Sequence, residues 1–257
     1  MKILAVIGSM RKNGSTYQVV KRLEEQLVQH DSGLEFDYVF LGDEGIEMCR
    51  GCSLCFKKGE AHCPCKDDVP DIVRRMHQAD GVIFACPAYV ANVPGVMKNF
   101  IDRLAYFCHR PAFFDKKALL VTTVGVSGSW QALNTMNVAA SVWGYKVVGK
   151  LNIVTGTNSA VPVPEKYYAS ITKTADKFYR SLSDGKKISP NIQSLTVFKY
   201  RTSYYRKNNS TYDAEYWRSK GWLEPGKRYF CDARINIFKS FAASIIAAVV
   251  ELTGPRI

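Results

Sequence analysis

Five of the eight cysteines fall within seventeen positions, Cys49 to Cys65, in MCRGCSLCFKKGEAHCPC. Cys49, Cys52 and Cys55 recur at intervals of three and Cys63 follows before Pro64. Three thiolates at that spacing can wrap three corners of an iron-sulfur cubane, with a later cysteine at the fourth. Gly51 and Gly59 allow tight turns around such a group. Structural zinc is a weaker alternative, since its cysteine pairs stand further apart. Free thiols packed as small hydrophobes are a third. A thioredoxin-like role for Cys49 and Cys52 is disfavoured, because Asp43, Glu44 and Gly45 separate them from the preceding strand.

A second candidate is GSMRKNGST, residues 8 to 16, between an apolar run and a helical pattern. Small hydroxyls and free backbone N–H groups at a helix start suit a phosphate. The dinucleotide pattern G-x-G-x-x-G is absent, as is the Gly-Lys-Ser/Thr of a nucleotide P-loop. A terminal monophosphate is the better ligand, with Arg11 and Lys12 adding charge. The alternative is an ordinary helix capped by Ser15 or Thr16. GVSGSW (125 to 130) breaks the nucleophile-elbow spacing and H-E-x-x-H does not occur, so no hydrolase site is expected.

The elements that must position these residues alternate regularly. Apolar runs at 2 to 7, 35 to 41, 81 to 86, 117 to 125 and 146 to 154 predict five strands. Helical patterns at 17 to 30, 69 to 78, 96 to 109, 130 to 143 and 165 to 182 predict the helices between and after them. This is the pattern of an α/β, doubly wound five-stranded parallel sheet. Ligands of such sheets bind beyond the carboxyl ends of the strands, so the loops after strands one, three and four are the ones to inspect.

With 257 residues, 47% of them apolar, the chain can bury a full core. The opening apolar run is too short for a signal peptide and reads as a buried strand, and no stretch approaches a membrane span. A reducing cytoplasm is therefore the expected compartment, where clustered cysteines do metal or redox chemistry. The net charge of +12 is concentrated late: residues 186 to 230 hold ten Lys or Arg against three acids, with six Tyr and with Trp217 and Trp222 interspersed. Basic and aromatic side chains interleaved in this way resemble a single-stranded nucleic-acid surface. No nucleic-acid motif accompanies them, and an extension folded over its own domain or a partner subunit is the preferred expectation. The division expected is 1–184 for the sheet domain and 185–257 for a C-terminal extension ending in a helix, whose Ile237, Phe241, Ile245 and Val249 would dock on a core.

GSMRKNGST, CPAYVANVPGVMKNFIDR (86 to 103) and TTVG (122 to 125), in this order, resemble the flavodoxin-like NAD(P)H-dependent FMN reductases and their relatives, the iron-sulfur flavoproteins. The likeness covers about residues 1 to 183. It implies FMN, with its phosphate on Ser9, Arg11, Asn13, Ser15 and Thr16. It places the ribityl chain and ring along Pro87, Ala88, Tyr89 and Val90, with Asn92 nearby, and the far ring edge at Gly125, Val126 and Ser127. It further implies a nicotinamide nucleotide as hydride donor, an onward electron acceptor, a homodimer or homotetramer with flavin sites near subunit contacts, and no side chain acting as acid or base. In the iron-sulfur relatives a compact motif holds a 4Fe-4S cluster, which here would use Cys49, Cys52, Cys55 and Cys63. Two alternatives to a nicotinamide-using reductase are an electron carrier fed by ferredoxin and a basic nucleic-acid-binding module.

Overall fold

Ile3 to Ile7 are wholly buried, which requires protein on both faces of the strand they form. In the computed structural model, which describes residues 1–156, 162–185 and 187–253, that strand is β1 (Lys2–Ile7). It lies between β2 (Glu35–Phe40) and β3 (Gly81–Pro87), and β4 (Lys117–Val124) and β5 (Lys146–Val154) complete an all-parallel sheet of order β2-β1-β3-β4-β5.

Alternate residues of β1 point to opposite layers. Ile3, Ala5 and Ile7 meet Val19, Val20, Leu23 and Leu27 of α1 (Ser15–His30), in a cluster shared with Phe178 of α6 (Tyr168–Ser183). Leu4 and Val6 meet the other layer, where α3 (Val69–Gln78), α4 (Gly95–Arg103) and α5 (Trp130–Trp143) present Ile72, Phe100 and Trp143. The four-residue α2 (Leu54–Lys57) lies in the cysteine loop, between β2 and α3. Gly8 ends β1 because nothing larger fits: a Cβ there would lie 2.7 Å from Cβ of Met97. The chain leaves β1 in one direction to β2 and returns on its other side to β3, so a crevice opens where the carboxyl ends of β1 and β3 diverge.

Past the sheet come α7 (Ile192–Lys207), α8 (Tyr212–Ser219) and α9 (Ile237–Thr253). Their core is aromatic: Phe198, Trp217, Trp222, Tyr229 and Phe230 are all buried. Phe114 of the sheet domain enters this cluster, stacked 4.1 Å from Phe230, and the Trp217 indole N–H donates to the His109 carbonyl at 2.8 Å. The extension thus folds onto its own chain through the amphipathic Trp and Tyr that the sequence interleaves with its cations.

The long helix expected at 96 to 109 is divided, α4 stopping at Arg103 and a 3-10 turn covering Ala105–Cys108. Asp102 makes a local ion pair with Lys98, and Arg103 pairs with Asp67. On α9 the docking face is not the expected one. Ile237, Phe241, Ile245 and Val249 are each at least half exposed, whereas Ala243 and Ala247 are buried.

Candidate functional site

At the carboxyl edge of the sheet a cleft of about 210 Å³ is bounded by four loops. The first carries Ser9, Arg11, Gly14, Ser15 and Thr16. Gly14 is the N-cap of α1, no side chain caps it, and the first helical turn holds no acid. The leading N–H groups of a helix have no intrahelical acceptor, and the helix dipole is positive there. Ser9 Oγ accepts from the Arg11 N–H at 3.1 Å, which folds the loop back over the helix start. Lys12 is held by Asp43 at 2.9 Å. Arg11, exposed at the cleft edge, makes no ion pair among the described residues.

Thr16 joins this loop to the next part of the wall, its hydroxyl lying 2.7 Å from that of Thr123, both buried. Thr123 and Val124 end β4 and Gly125 follows it, and Thr155 and Gly156 follow β5. From the β3 side come Pro87, Ala88 and Tyr89. Tyr89 is half exposed and exchanges backbone hydrogen bonds with Asn92 at 2.9 and 3.0 Å, closing a tight turn. At its tip Val90 (φ 47°) and Ala91 (φ 64°) occupy the left-handed region. For a β-branched residue this costs on the order of 1–3 kcal/mol and marks a turn whose shape is imposed by its surroundings.

The cleft therefore gathers Ser9, Arg11, Ser15, Thr16, Pro87, Ala88, Tyr89 and Gly125 of the expected residues, and leaves five outside. Asn13, Val126 and Ser127 are exposed beyond its rim, and Val90 points fully into solvent. Asn92 is occupied structurally, its Oδ1 accepting from the Val93 N–H at 2.8 Å and the Thr135 hydroxyl at 3.0 Å. Thr123, Val124, Thr155 and Gly156 line the cleft in addition to the expected residues. TTVG signalled the first two, but the loop after β5 carries no motif that singles it out.

In the cysteine loop Cys49 and Cys52 are exposed, Cys55 and Cys63 half-buried and Cys65 buried. Among the described residues no three His, Cys, Asp or Glu side chains converge as a metal shell. Two buried arginines hold the loop from below. Arg103 donates to the Glu47 carbonyl at 2.9 Å, pairs with Asp67, and has Nη2 3.8 Å from Cys63 Sγ. Arg110, 1% exposed, donates to the Cys55 carbonyl at 2.7 Å and Glu60 at 2.9 Å, and pairs with Asp213 of α8. Asp213 also binds His109 Nδ1 at 2.7 Å. Burial works against ionisation of Asp67 and Asp213, yet hydrogen bonds and the paired cations hold both below the usual carboxylate range.

Burial raises the Cys55 thiol, and the neighbouring Cys63 and Cys49 add to this while Arg110 opposes it. Ser53 (φ 59°) and Gly51 (φ 62°) turn the backbone between the first three cysteines. Soft donors on a tightly turning loop have the ligand chemistry of an iron-sulfur group, but among the described residues they do not converge into its shell. Cys86 is a different case: wholly buried, its thiol is pushed up to about 12 and is inert.

Residues 1–159 match the NADPH-dependent FMN reductase family. An iron-sulfur flavoprotein of Archaeoglobus fulgidus is 28% identical over 229 residues, covering 87% of this chain and 100% of its own. One from Clostridioides difficile is 30% identical over 202 residues, covering 77% of this chain and 86% of its own. Among solved structures, the apo form of an NADH:FMN oxidoreductase superposes with a TM-score of 0.52 at 21% identity, over 71% of this chain and 90% of that one, a likeness of fold. With a parallel sheet of flavodoxin order and an uncapped helix start in the crevice at its switch point, the chain belongs to the NADPH-dependent FMN reductase family and is a flavin oxidoreductase.

Proposed function

We propose that the cleft holds FMN with its phosphate at the start of α1 and its ring along Tyr89 and Gly125, and that the enzyme takes hydride from NAD(P)H and passes electrons to an acceptor. The observation that carries this is the uncapped, acid-free first turn of α1, which opens into the cleft walled by the β3 and β4 loops. Bound FMN would supply the redox chemistry, accepting two electrons as hydride and releasing them singly or in pairs.

The protein contributes position and electrostatics. Backbone N–H groups of Ser15 and Thr16 and the hydroxyl of Ser15 would meet the phosphate, and Arg11 would neutralise it from the open side. The Thr16 to Thr123 hydrogen bond keeps the two walls in register. Pro87 and the constrained 89–92 turn would form a stiff, half-exposed wall for the ring, leaving one face for a nicotinamide. Asn13, Val90, Val126 and Ser127 could reach the cofactor or its donor from the rim. An anaerobic FMN titration with and without Arg11→Ala tests this. A yellow complex weakened by the substitution supports the proposal, and a chain that refuses FMN would falsify it.

A second reading is favoured by the cysteine loop: an electron carrier in which Cys49, Cys52, Cys55 and Cys63 hold a 4Fe-4S cluster, fed by a ferredoxin-type donor. If bound, the cluster would divide two-electron traffic into single electrons beside the flavin; without it the loop serves as a lid. The thiols suit a reducing compartment such as the cytoplasm. Iron and sulfide analysis of anaerobically purified protein, with flavin bleaching by NADH, NADPH or reduced ferredoxin, separates the readings. A nucleic-acid module is disfavoured, because Trp217, Trp222, Tyr205 and Tyr229 are buried in the extension's own core and unavailable for base stacking. Self-association as a homodimer or homotetramer completes the proposal. Among the described residues no helix is long and apolar enough to cross a membrane.

A further inference from the structure

Helix α9 is attached by a narrow edge. Ser240, Ala243 and Ala247 form one stripe, the last two buried, and the helix packs on α7. At about 100° per residue the opposite side carries Phe238, Phe241, Ile245, Val249 and Leu252. These are 84, 69, 52, 50 and 85% exposed. Their spacing of three, four, four and three residues is that of a seam between two helices. Five large apolar side chains, each at least half exposed, lie in one line along the helix, a contiguous patch of the kind that marks an interaction surface.

The seam also indicates its occupant. Phe238 and Leu252 lie seven residues either side of Ile245, and Phe241 and Val249 lie four either side. A two-fold axis through Ile245 therefore lays Phe238 against the second copy's Leu252 and Phe241 against its Val249, the self-complementarity that an isologous interface needs. No charge interrupts the seam to select an unlike partner. Glu251 lies off it, bound to Lys207 and Ser203, and Lys239 is the helix's one cation, too few for a helix resting on anionic lipid.

We propose that α9 pairs antiparallel with α9 of a second copy of this chain, centred on Ile245. This deepens the self-association named above, rests on no property of the flavin, and puts a subunit contact on the extension rather than at the flavin cleft.

Sedimentation velocity of the full chain, with Ile245→Asp beside it, tests the pairing. The expected result is an assembly whose mass falls twofold in the variant while FMN affinity stays within about twofold. Register is read by Ile245→Cys treated with diamide, which takes two electrons and two protons from a pair of thiols as one disulfide forms. That variant should cross-link to itself above the wild-type background. Phe238→Cys should not, since its symmetry mate stands about 21 Å away along the axis. A monomeric wild type, an unchanged mass for Ile245→Asp, equal cross-linking of both cysteine variants, or sedimentation of a monomer with phosphatidylserine vesicles overturns the proposal. Loss of FMN binding with the assembly intact would count against the flavin reading alone.

Discussion

The cleft at the carboxyl edge of the sheet, the proposed flavin site, and the cysteine loop lie on one chain but are held by different forces. The cleft is made of the ends of β1, β3, β4 and β5, and in the first three of these strands the residues from Ile3 to Ile7, Gly81 to Pro87 and Ala118 to Val124 are all buried. The sheet positions it, and few side chains are needed. The cysteine loop has one four-residue helix and one 3-10 turn, and it depends on Arg103 with Asp67 and on Arg110 with Asp213. A site built on strand ends inherits the stability of the core, whereas a site built on buried ion pairs depends on each partner remaining in place.

The largest effect should come from Asp213→Ala, which leaves Arg110 buried and without its carboxylate partner on α8. Breaking such a pair costs about 3–5 kcal/mol. Amide exchange should accelerate through residues 49 to 63 and α8 while β1 and β3 stay protected. Equal acceleration in all these segments would mean that the two regions are one cooperative unit.

The contrast is next sharpened from the other side by Ser15→Asp. A carboxylate in the first turn of α1 favours the helix by about 0.3–1 kcal/mol, yet it opposes a bound phosphate. FMN affinity should fall at least tenfold, about 1.4 kcal/mol, without loss of thermal stability. A variant that loses both would show the helix start to be structural.

Acid should separate the regions as well. Asp67 and Asp213 have folded-state pKa values below their unfolded ones, so their stabilisation is complete above the unfolded value of about 3.9 and is lost as pH falls through the folded values. Protection of the cysteine loop should decline as pH falls below the unfolded value of about 3.9, ahead of the sheet. Asp67→Asn should remove part of that dependence. The smallest effect is expected from Val90→Gly, which relieves a left-handed β-branched residue and should stabilise the fold by at most about 1 kcal/mol, seen as a small rise in Tm. A fall in Tm would show that the turn gains more from the side chain than its backbone loses.

The sheet was legible because strands buried on both faces must be continuously apolar, and the helices between them show their spacing directly. α3, α5 and β5 begin and end where the pattern predicts. Pro87, Ala88, Tyr89 and Gly125 were legible for a related reason: a loop that follows a buried strand has to emerge at the sheet's edge. The partners of Asn92 were not legible, because a polar side chain in a tight turn can bind its own turn, and only coordinates show that Val93 and Thr135 donate to it. The face of α9 was misjudged because apolar residues four apart predict a buried stripe without naming what covers it.

Order and type of element, the crevice at the switch point and the thiol-rich loop were thus determined by sequence alone, since each follows from local periodicity or composition. Tertiary structure alone decided that Arg103 and Arg110 hold the cysteine loop, that Thr16 bonds Thr123, and that Ala243 and Ala247 rather than Ile237, Phe241, Ile245 and Val249 seat α9. These are contacts between residues distant along the chain. Their energies depend on burial and mutual distance, quantities that no single stretch of sequence contains.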